Sequence, residues 1–166
     1  MSTLFNSRKK ILITGGAGFI GSHLIKKLLL DTKNIIFNLD KLGYASNLSI
    51  LENLLMSMSE GDKLRYKFFK LDLLDKKSLI SLVNKIKPDI VFHLAAESHV
   101  DRSIDDSSLF IESNIIGTHN LLEAVRQYLD LNLPNNEFKL IHISTDEVFG
   151  SLNDKKEFFN ESTKYD

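Results

Sequence analysis

Cysteine is absent from the 166-residue sequence, and long apolar runs are absent as well. A chain without cysteine forms no disulfide bridge and offers no thiolate to a metal ion, and this composition is typical of a reducing compartment, so we expect a cytoplasmic protein. The glycines between positions 15 and 21, with Lys26 and Lys27, interrupt the first apolar region before it reaches the roughly 20 residues that span a bilayer. The sequence therefore predicts no membrane-spanning segment.

An excess of positive charge is also lacking. The 21 Lys and Arg residues are balanced by 22 Asp and Glu residues, which gives a formal net charge of -1. Nucleic acids and anionic membranes select proteins with a basic stripe, whereas the lysines of this chain are scattered along the sequence. We therefore expect neither partner. The 43% hydrophobic and 26% charged residues suit one compact domain with its own core.

Short apolar runs alternate with longer segments of helical period, which is the pattern of βαβ units around a parallel sheet. The predicted strands are 10–14, 35–40, 64–71, 90–94 and 139–144, and the predicted helices are about 18–30, 48–58, 76–85 and 107–129. This pattern predicts an α/β fold with a doubly wound parallel sheet, a Rossmann fold. Such sheets usually have about six strands. Because the pattern ends near Leu152, we expect residues 1–166 to form one incomplete domain that stops before the last strands.

Four glycines lie between the first predicted strand and the first predicted helix. Gly16, Gly18 and Gly21 satisfy G-x-G-x-x-G, and Gly15 extends the pattern to G-x-x-G-x-x-G. Glycines at this point permit a tight turn, let the backbone approach a pyrophosphate and bring the helix close to the sheet, while the helix N-terminus offers free N–H groups to phosphates. The motif predicts a dinucleotide site.

Asp40 is the predicted ribose acceptor, because it closes the second strand nineteen positions after Gly21. A carboxylate accepts both ribose hydroxyls and repels a 2′-phosphate, so NAD is favoured over NADP, although the neighbouring Lys41 weakens that preference. The alternative is a glycine-rich turn whose aspartate caps a loop.

Asp72 ends the third predicted strand, where a carboxylate can reach the adenine amino group. The alternative role is the N-cap of the next helix, which Asp75 fits better. At the end of the fourth strand, residues 92–96 include small side chains that leave room for a cofactor across the strand ends.

Asp146 and Glu147 follow the fifth predicted strand with Ser144 and Thr145, at the sheet edge where open α/β sheets bind ligands. Adjacent carboxylates in a crevice repel each other, so one tends to hold a proton while the other stays ionised, and such an acid and base suit an elimination. A solvated turn with no catalytic role is the alternative.

Two further sets of polar residues carry weaker indications. Glu97, His99 and Asp101 alternate after the fourth strand, but a polar loop explains them better than a metal site, and we predict no metal. The other four histidines fall within predicted helices or strands and are expected to be packed or hydrogen-bonded: His23, His93, His119 and His142.

Six segments together resemble the extended short-chain dehydrogenase/reductases and, within them, the dTDP-glucose 4,6-dehydratases: "TGGAGFIGS", "NLDKLGYASNL", "LDLLD", "HLAAESHVDRSI", "NIIGTHNLLEA" and "ISTDEVFG". The resemblance runs from Ile11 to about Gly150. The first motif is shared with many nucleotide-sugar epimerases and decarboxylases, whereas the Thr-Asp-Glu triplet and "DKLGYASNL" are more selective.

The resemblance implies NAD as cofactor and dTDP-glucose as substrate. In such enzymes NAD takes the C4 hydride, water leaves across C5 and C6, and the hydride returns to C6. The residue matching Glu147 removes the C5 proton, the one matching Asp146 protonates the departing C6 hydroxyl, and the one matching Thr145 holds the C4 hydroxyl. This division agrees with the acid and base predicted above.

The family's cofactor-binding pattern carries over to a larger set of positions, with Ser98 near the cofactor or the sugar. Two departures lie beside the adenosine ribose: Gly43 replaces a frequent Thr, and Ser46 replaces a frequent Gly. Ser46 is retained in the predicted cofactor-binding set, whose other members are Gly15, Gly18, Phe19, Ile20, Asp40, Lys41, Asp72, Leu73, Leu94, Ala96, Ser98 and Asn114.

The family also carries a Tyr-x-x-x-Lys pair after strand five. Tyr66 and Lys70 have this spacing, but they lie on a predicted strand, where positions four apart are separated by roughly 13 Å, whereas the pair must meet across one helical turn. The resemblance places the true pair just beyond Asp166, with the sugar-binding C-terminal lobe. We therefore expect that residues 1–166 alone do not turn over substrate.

Two other functions remain open at this point. One is a related nucleotide-sugar enzyme, such as a UDP-sugar dehydratase or epimerase, against which Asp146 and Glu147 favour dehydration. The other is a non-catalytic dinucleotide-binding module, which the missing Tyr-Lys pair favours. The resemblance further implies a homodimer formed through the long helix from Ser107, which alternatively packs only on the sheet.

Overall fold

Five parallel strands form the centre of the molecule. The computed structural model describes residues 8–99, 106–132, 137–152 and 158–166. The sheet has the order β3-β2-β1-β4-β5, and its register aligns Thr14 at the end of β1 with Leu39 in β2 and His93 in β4. The predicted doubly wound parallel sheet is confirmed. Its strands are β1 (Lys10–Thr14), β2 (Ile35–Asp40), β3 (Tyr66–Lys70), β4 (Ile90–His93) and β5 (Lys139–His142).

Helices connect the strands and cover both faces of the sheet. They are α1 (Phe19–Asp31), α2 (Ser49–Ser57), the one-turn α3 (Glu60–Lys63), α4 (Lys76–Ile86), α5 (Ser108–Phe110), a π-helical segment (Ile111–Gly117) and α6 (Thr118–Asn132), followed after β5 by a 3₁₀ turn (Asp146–Phe149). Among the described residues, no helix has both the length and the apolar character needed to cross a bilayer.

Most predicted bounds differ from the observed ones by one or two residues, and three differences have a clear structural cause. β3 begins at Tyr66 rather than at residue 64, because residues 60–63 form the helical turn α3. β5 ends at His142, because the chain turns away after a last bond from the Ile143 N–H to the His93 carbonyl. The predicted helix 107–129 contains the π-helical segment, which ends at Gly117, where an added Cβ would lie 3.2 Å from the Leu73 Cβ.

Two apolar clusters hold the layers together, one on each face of the sheet. Consecutive residues of β1 point to opposite faces, so Leu12 packs with α4 and α6 while Ile11 and Ile13 pack with α1 and α2. All three side chains are fully buried. A strand covered on both faces accounts for the uninterrupted apolar run of β1.

A buried arginine caps the C-terminal end of α1. The Arg65 guanidinium donates to the carbonyl oxygens of Leu29, Thr32 and Asn34 at 2.8–3.2 Å, and its Nε lies 3.0 Å from Asp62 Oδ1. The last carbonyls of a helix have no intrahelical donor, so a cation at this end both satisfies them and complements the helix dipole. Arg65 thereby joins the end of α1 to the start of β3.

A second buried polar residue, His93, connects β1, β4 and α6. His93 is 1% exposed, and its ring nitrogens lie 2.7 Å from Thr14 Oγ1 and 2.9 Å from Thr118 Oγ1. Burial, and to a lesser degree the neighbouring His142 ring at 5.0 Å, lower the pKa of His93 to about 4. The expected hydrogen bonding of His93 is confirmed, whereas His119 is exposed on α6.

We expect Arg65→Met to lower the free energy of unfolding by about 2–4 kcal/mol, because two buried carbonyls and one partly buried carbonyl lose their donor. The matched control is Arg126→Met, which removes an exposed arginine that pairs with Glu123 and Asp130, and which should leave stability nearly unchanged. Urea denaturation followed by circular dichroism measures both. Equal effects of the two substitutions would contradict the role given to Arg65.

We also expect stability to fall between pH 6.5 and 4 in a manner that depends on His93. The unfolded His93 protonates near pH 6.5 and the folded one near 4, so the stabilisation is fully present above 6.5 and decreases as the pH falls through this window, by about 3 kcal/mol. His93→Gln should flatten this part of the curve, whereas the exposed-helix control His119→Gln should not. An unchanged slope in His93→Gln would show that other groups cause the loss.

Candidate functional site

An open cleft with a volume of about 110 Å³ lies at the carboxyl ends of the strands. Its walls come from the loops after β1, β2, β3 and β4 and from one residue of the π-helical segment. From β1 the chain builds β2 and β3 on one side, and it then crosses to build β4 and β5 on the other side of β1. The cleft lies at the point where this strand order reverses. Open α/β sheets bind ligands at this point.

The four glycines of the motif are required for different reasons. An added Cβ would collide with Asn38 Oδ1 at Gly16 and with the Gly15 carbonyl oxygen at Gly21, so these two positions serve packing. Gly15 has φ +72°, and its Cβ would lie 2.6 Å from the Ala95 nitrogen. At Gly18 the nearest atom is the Gly15 carbonyl oxygen at 3.3 Å, and Gly18 lines the cleft. Gly18 is therefore the least crowded of the four glycines, and it faces the cleft.

The first turn of α1 begins at this glycine. Gly18 is the N-cap in an extended conformation, and among the described residues no side chain caps the turn and no acidic residue lies in it. The first amides of a helix have no intrahelical acceptor and carry partial positive charge. Phe19 and Ile20, both predicted cofactor residues, are mostly exposed in this turn, at 78% and 63%. The turn is therefore suited to an anion.

Asp40 joins the glycine turn to the loop after β2. Its Oδ2 accepts from the Ala17 N–H at 2.9 Å, and its Oδ1 accepts from the Leu42 N–H at 2.8 Å and from the Ser46 hydroxyl at 2.9 Å. A carboxylate offers about four acceptor positions, so three internal bonds leave one for a ligand hydroxyl. The side chain lines the cleft although the residue is only 7% exposed.

Asp75 rather than Asp72 caps α4. The Asp75 carboxylate accepts from the Ser78 N–H at 3.1 Å, and hydrogen bonding to Ser78 holds the pKa of Asp75 below its ordinary value. The Asp72 carboxylate accepts from the nearby Leu74 N–H at 3.0 Å and lines the cleft. The predicted residues Leu73, Leu94 and Ala96 also lie on its wall.

The loop after β4 is fixed from two sides. Lys41 Nζ lies 2.9 Å from Glu97 Oε1, which joins this loop to the one after β2. The Asn114 side-chain amide both accepts from the Glu97 N–H at 2.8 Å and donates to the Glu97 carbonyl at 2.9 Å. Asn114 thus holds the cleft wall without lining it. Ser98 is exposed and lies outside the lining, and Asp101 lies outside the described residues.

The Thr-Asp-Glu triplet lies at the same sheet edge but outside the cleft. Thr145 caps the 3₁₀ turn by accepting from the Glu147 N–H at 3.3 Å, and its hydroxyl donates to Asp146 Oδ1 at 3.3 Å. All three side chains are exposed. Neighbouring residues of a strand point to opposite faces, so Asp146 and Glu147 could act on one substrate only where the strand has ended, and the chain does turn after β5. However, β5 is one strand further than β4 from the strand-order reversal.

Several cleft residues were not in the predicted set, and Ser113 and Tyr44 are two of them. Ser113 lines the cleft instead of the predicted Asn114, and Tyr44 lines it with its ring 5.7 Å from that of His99. Ser113 reaches the cleft because Gly117, four positions later in the same segment, packs closely against the loop after β3, a contact that only the structure reveals. Tyr44 lies within the segment "DKLGYASNL" of the resemblance, but its loop has no periodicity that would assign the side chain to the cleft.

Comparisons with known proteins agree with this geometry. The dTDP-glucose 4,6-dehydratase of Neisseria meningitidis serogroup B is 44% identical over 160 residues, which are 95% of this chain and 43% of that protein. The corresponding enzyme of Salmonella typhimurium is 46% identical over 156 residues, or 93% of this chain and 42% of that protein. The chain thus spans less than half the length of these relatives.

Solved structures of two activities share the fold. DesIV, a dTDP-glucose 4,6-dehydratase from Streptomyces venezuelae with NAD and TYD bound, gives a TM-score of 0.78 at 34% identity and covers 95% of this chain and 45% of that one. The UDP-Glc/GlcNAc 4-epimerase of Campylobacter jejuni gives 0.78 at 30% identity, with 95% and 43% covered. The family model described as GDP-mannose 4,6 dehydratase matches residues 12–166. Since this match includes every wall of the cleft, the chain belongs to the GDP-mannose 4,6 dehydratase family.

Proposed function

We propose that residues 1–166 bind NAD in the cleft and form the cofactor-binding part of an NAD-dependent dTDP-glucose 4,6-dehydratase. The observation that carries the proposal is the pairing of two features at the strand-order reversal: the uncapped first turn of α1 behind Gly18, and the Asp40 carboxylate with an unused acceptor position. Relatives named dTDP-glucose 4,6-dehydratase and neighbours crystallised with NAD support it.

The described residues fit the dinucleotide. The amides of Phe19 and Ile20 would receive the diphosphate, and the space that a Cβ would fill at Gly18 admits it. Asp40 would accept from the adenosine ribose and Asp72 from the adenine amino group. Leu73, Leu94 and Ala96 would form the wall.

When bound, NAD supplies a reversible hydride acceptor for the C4 carbon of the sugar. The chain's own contribution lies after β5. Thr145 would hold the sugar C4 hydroxyl, Glu147 would take the C5 proton, and Asp146 would give a proton to the departing C6 hydroxyl. Their exposure in the 3₁₀ turn leaves them accessible to a sugar beside the cleft.

A 4-epimerase is the second candidate, because the epimerase of Campylobacter jejuni matches this chain with the same TM-score as DesIV. An epimerase inverts C4 without releasing water and needs no acid at C6. The adjacent Asp146 and Glu147 favour dehydration. Analysis of the product formed by the protein that contains this chain separates the two.

We also propose a homodimer formed through the helix that begins at Ser108. Leu109, Ile111 and Ile115 in its first turns are half exposed or more, and Leu122 further along is 46% exposed. Burying such side chains against a second copy would remove apolar surface from water.

Gly18→Ala should bind NAD about tenfold or more weakly while the free energy of unfolding falls by about 1 kcal/mol or less, because the added Cβ would crowd the diphosphate position but would meet the protein only at the Gly15 carbonyl oxygen, 3.3 Å away. Gly21→Ala is the matched control, and it should lose about 2–4 kcal/mol of stability through its collision with the Gly15 carbonyl. Isothermal titration with NAD and urea denaturation measure the two effects. Wild-type affinity in Gly18→Ala would refute the proposed diphosphate position.

Residues 1–166 alone should release no 4-keto product from dTDP-glucose and NAD. The only Tyr-x-x-x-Lys pair in the sequence, Tyr66 and Lys70, lies along β3. The Tyr66 hydroxyl is held by the Asn38 amide at 2.9 Å, and burial raises the pKa of Tyr66, which opposes a phenolate role. Mass spectrometry of the sugar product tests this, with a complete dehydratase as the positive control. Turnover by the chain alone would contradict the prediction.

A further inference from the structure

The positive charge of Lys41 opposes the preference for NAD over NADP that Asp40 provides. It follows the ribose acceptor Asp40 directly and lines the same cleft. A cation beside the ribose accommodates the 2′-phosphate of NADP, whereas a carboxylate alone repels it. A free Lys41 ammonium group would therefore work against the selectivity that Asp40 provides.

The structure shows the ammonium group engaged elsewhere. Lys41 Nζ lies 2.9 Å from Glu97 Oε1, and the two side chains are 38% and 15% exposed. Glu97 is the more buried partner, and its backbone is held by two hydrogen bonds to the Asn114 amide at 2.8 and 2.9 Å. The acid therefore has a fixed position toward which the flexible lysine is drawn.

The charge of the cleft follows from this pair. Its charged lining residues are Asp40, Asp72, Glu97 and Lys41, so the formal sum is three negative charges and one positive charge. With Lys41 paired to Glu97, the carboxylates of Asp40 and Asp72 keep uncompensated charge. An unphosphorylated ribose donates its hydroxyls to such a surface, whereas a 2′-phosphate dianion is repelled by it.

We propose that Glu97 is a specificity-determining residue, which excludes 2′-phosphorylated dinucleotides by engaging the Lys41 ammonium group. This inference rests on the proposed dinucleotide site. Glu97 lies in the loop after β4 and binds Lys41, which lies in the loop after β2. It therefore acts through the lysine and needs no contact with the nicotinamide or the sugar.

The test compares the dissociation constants of NAD and NADP for the purified chain by isothermal titration. Glu97→Gln keeps the size of the side chain and both backbone bonds to Asn114, but it releases Lys41. We expect the ratio of NADP to NAD affinity to rise about tenfold. Adding Lys41→Met to Glu97→Gln should return the ratio close to that of the wild type.

The matched control is Glu60→Gln, which removes the same charge from the exposed pair with Lys63 at the opposite end of β3. It should leave the ratio unchanged. The smaller ligands 2′,5′-ADP and 5′-AMP should reproduce the change seen in Glu97→Gln, because they differ only at the 2′ position.

An unchanged ratio in Glu97→Gln would overturn the role of Glu97 but not the proposed function. A rise that persists in the double variant would also overturn it, because the lost negative charge, rather than a released lysine, would then be the cause. A wild-type chain that binds neither dinucleotide would overturn both this inference and the proposed function.

Discussion

The close approach of the glycine turn to the strand ends on either side of it is the constraint on which the site depends. The Gly15 N–H donates to the Leu39 carbonyl at 2.9 Å, and the Gly15 carbonyl accepts from the Gly18 N–H at 3.1 Å. The same residue leaves no room for a Cβ beside Ala95, which belongs to the loop after β4. The turn is thus held between the ends of β2 and β4, and this contact fixes both where α1 begins and where the cleft opens. Neither wall of the cleft is positioned independently of this turn.

Polar contacts extend this constraint outward. Asp40 binds the Ala17 amide of the glycine turn and two groups of the loop after β2, so one carboxylate orders two loops. Glu97 joins that loop to the loop after β4 through Lys41. Each of these two acidic side chains therefore holds neighbouring loops in place through bonds within the chain. The fold itself thus fixes the positions of the charged groups that set the electrostatic field inside the cleft.

Much of the fold could be predicted from the sequence, because buried parallel strands are continuous apolar runs and the helices between them have an apolar face. The bounds of β1 and β2 agree with the prediction. Local polar patterns were also informative: Asp75 caps α4 as expected, since an aspartate three positions before a helical N–H satisfies it. The π-helical segment was not predicted, because a helix with one wider turn keeps an apolar pattern that looks α-helical. The pairing of Lys41 with Glu97 joins loops that are distant in sequence, and neither residue alone indicates the other. The exposure of Thr145, Asp146 and Glu147 was not predicted either, because it depends on the end of β5 at His142, two residues earlier than expected.

The two ends of α1 differ in whether a side chain caps them. Arg65 binds three carbonyls at the C-terminal end and attaches it to β3, while the N-terminal end is left uncapped toward the cleft. A helix anchored at its far end is restrained from shifting as a whole. If an anion binds at the near end as proposed, less ordering of the helix would accompany binding. Arg65, at the opposite end of the helix from the cleft, would thereby lower the entropic cost of association.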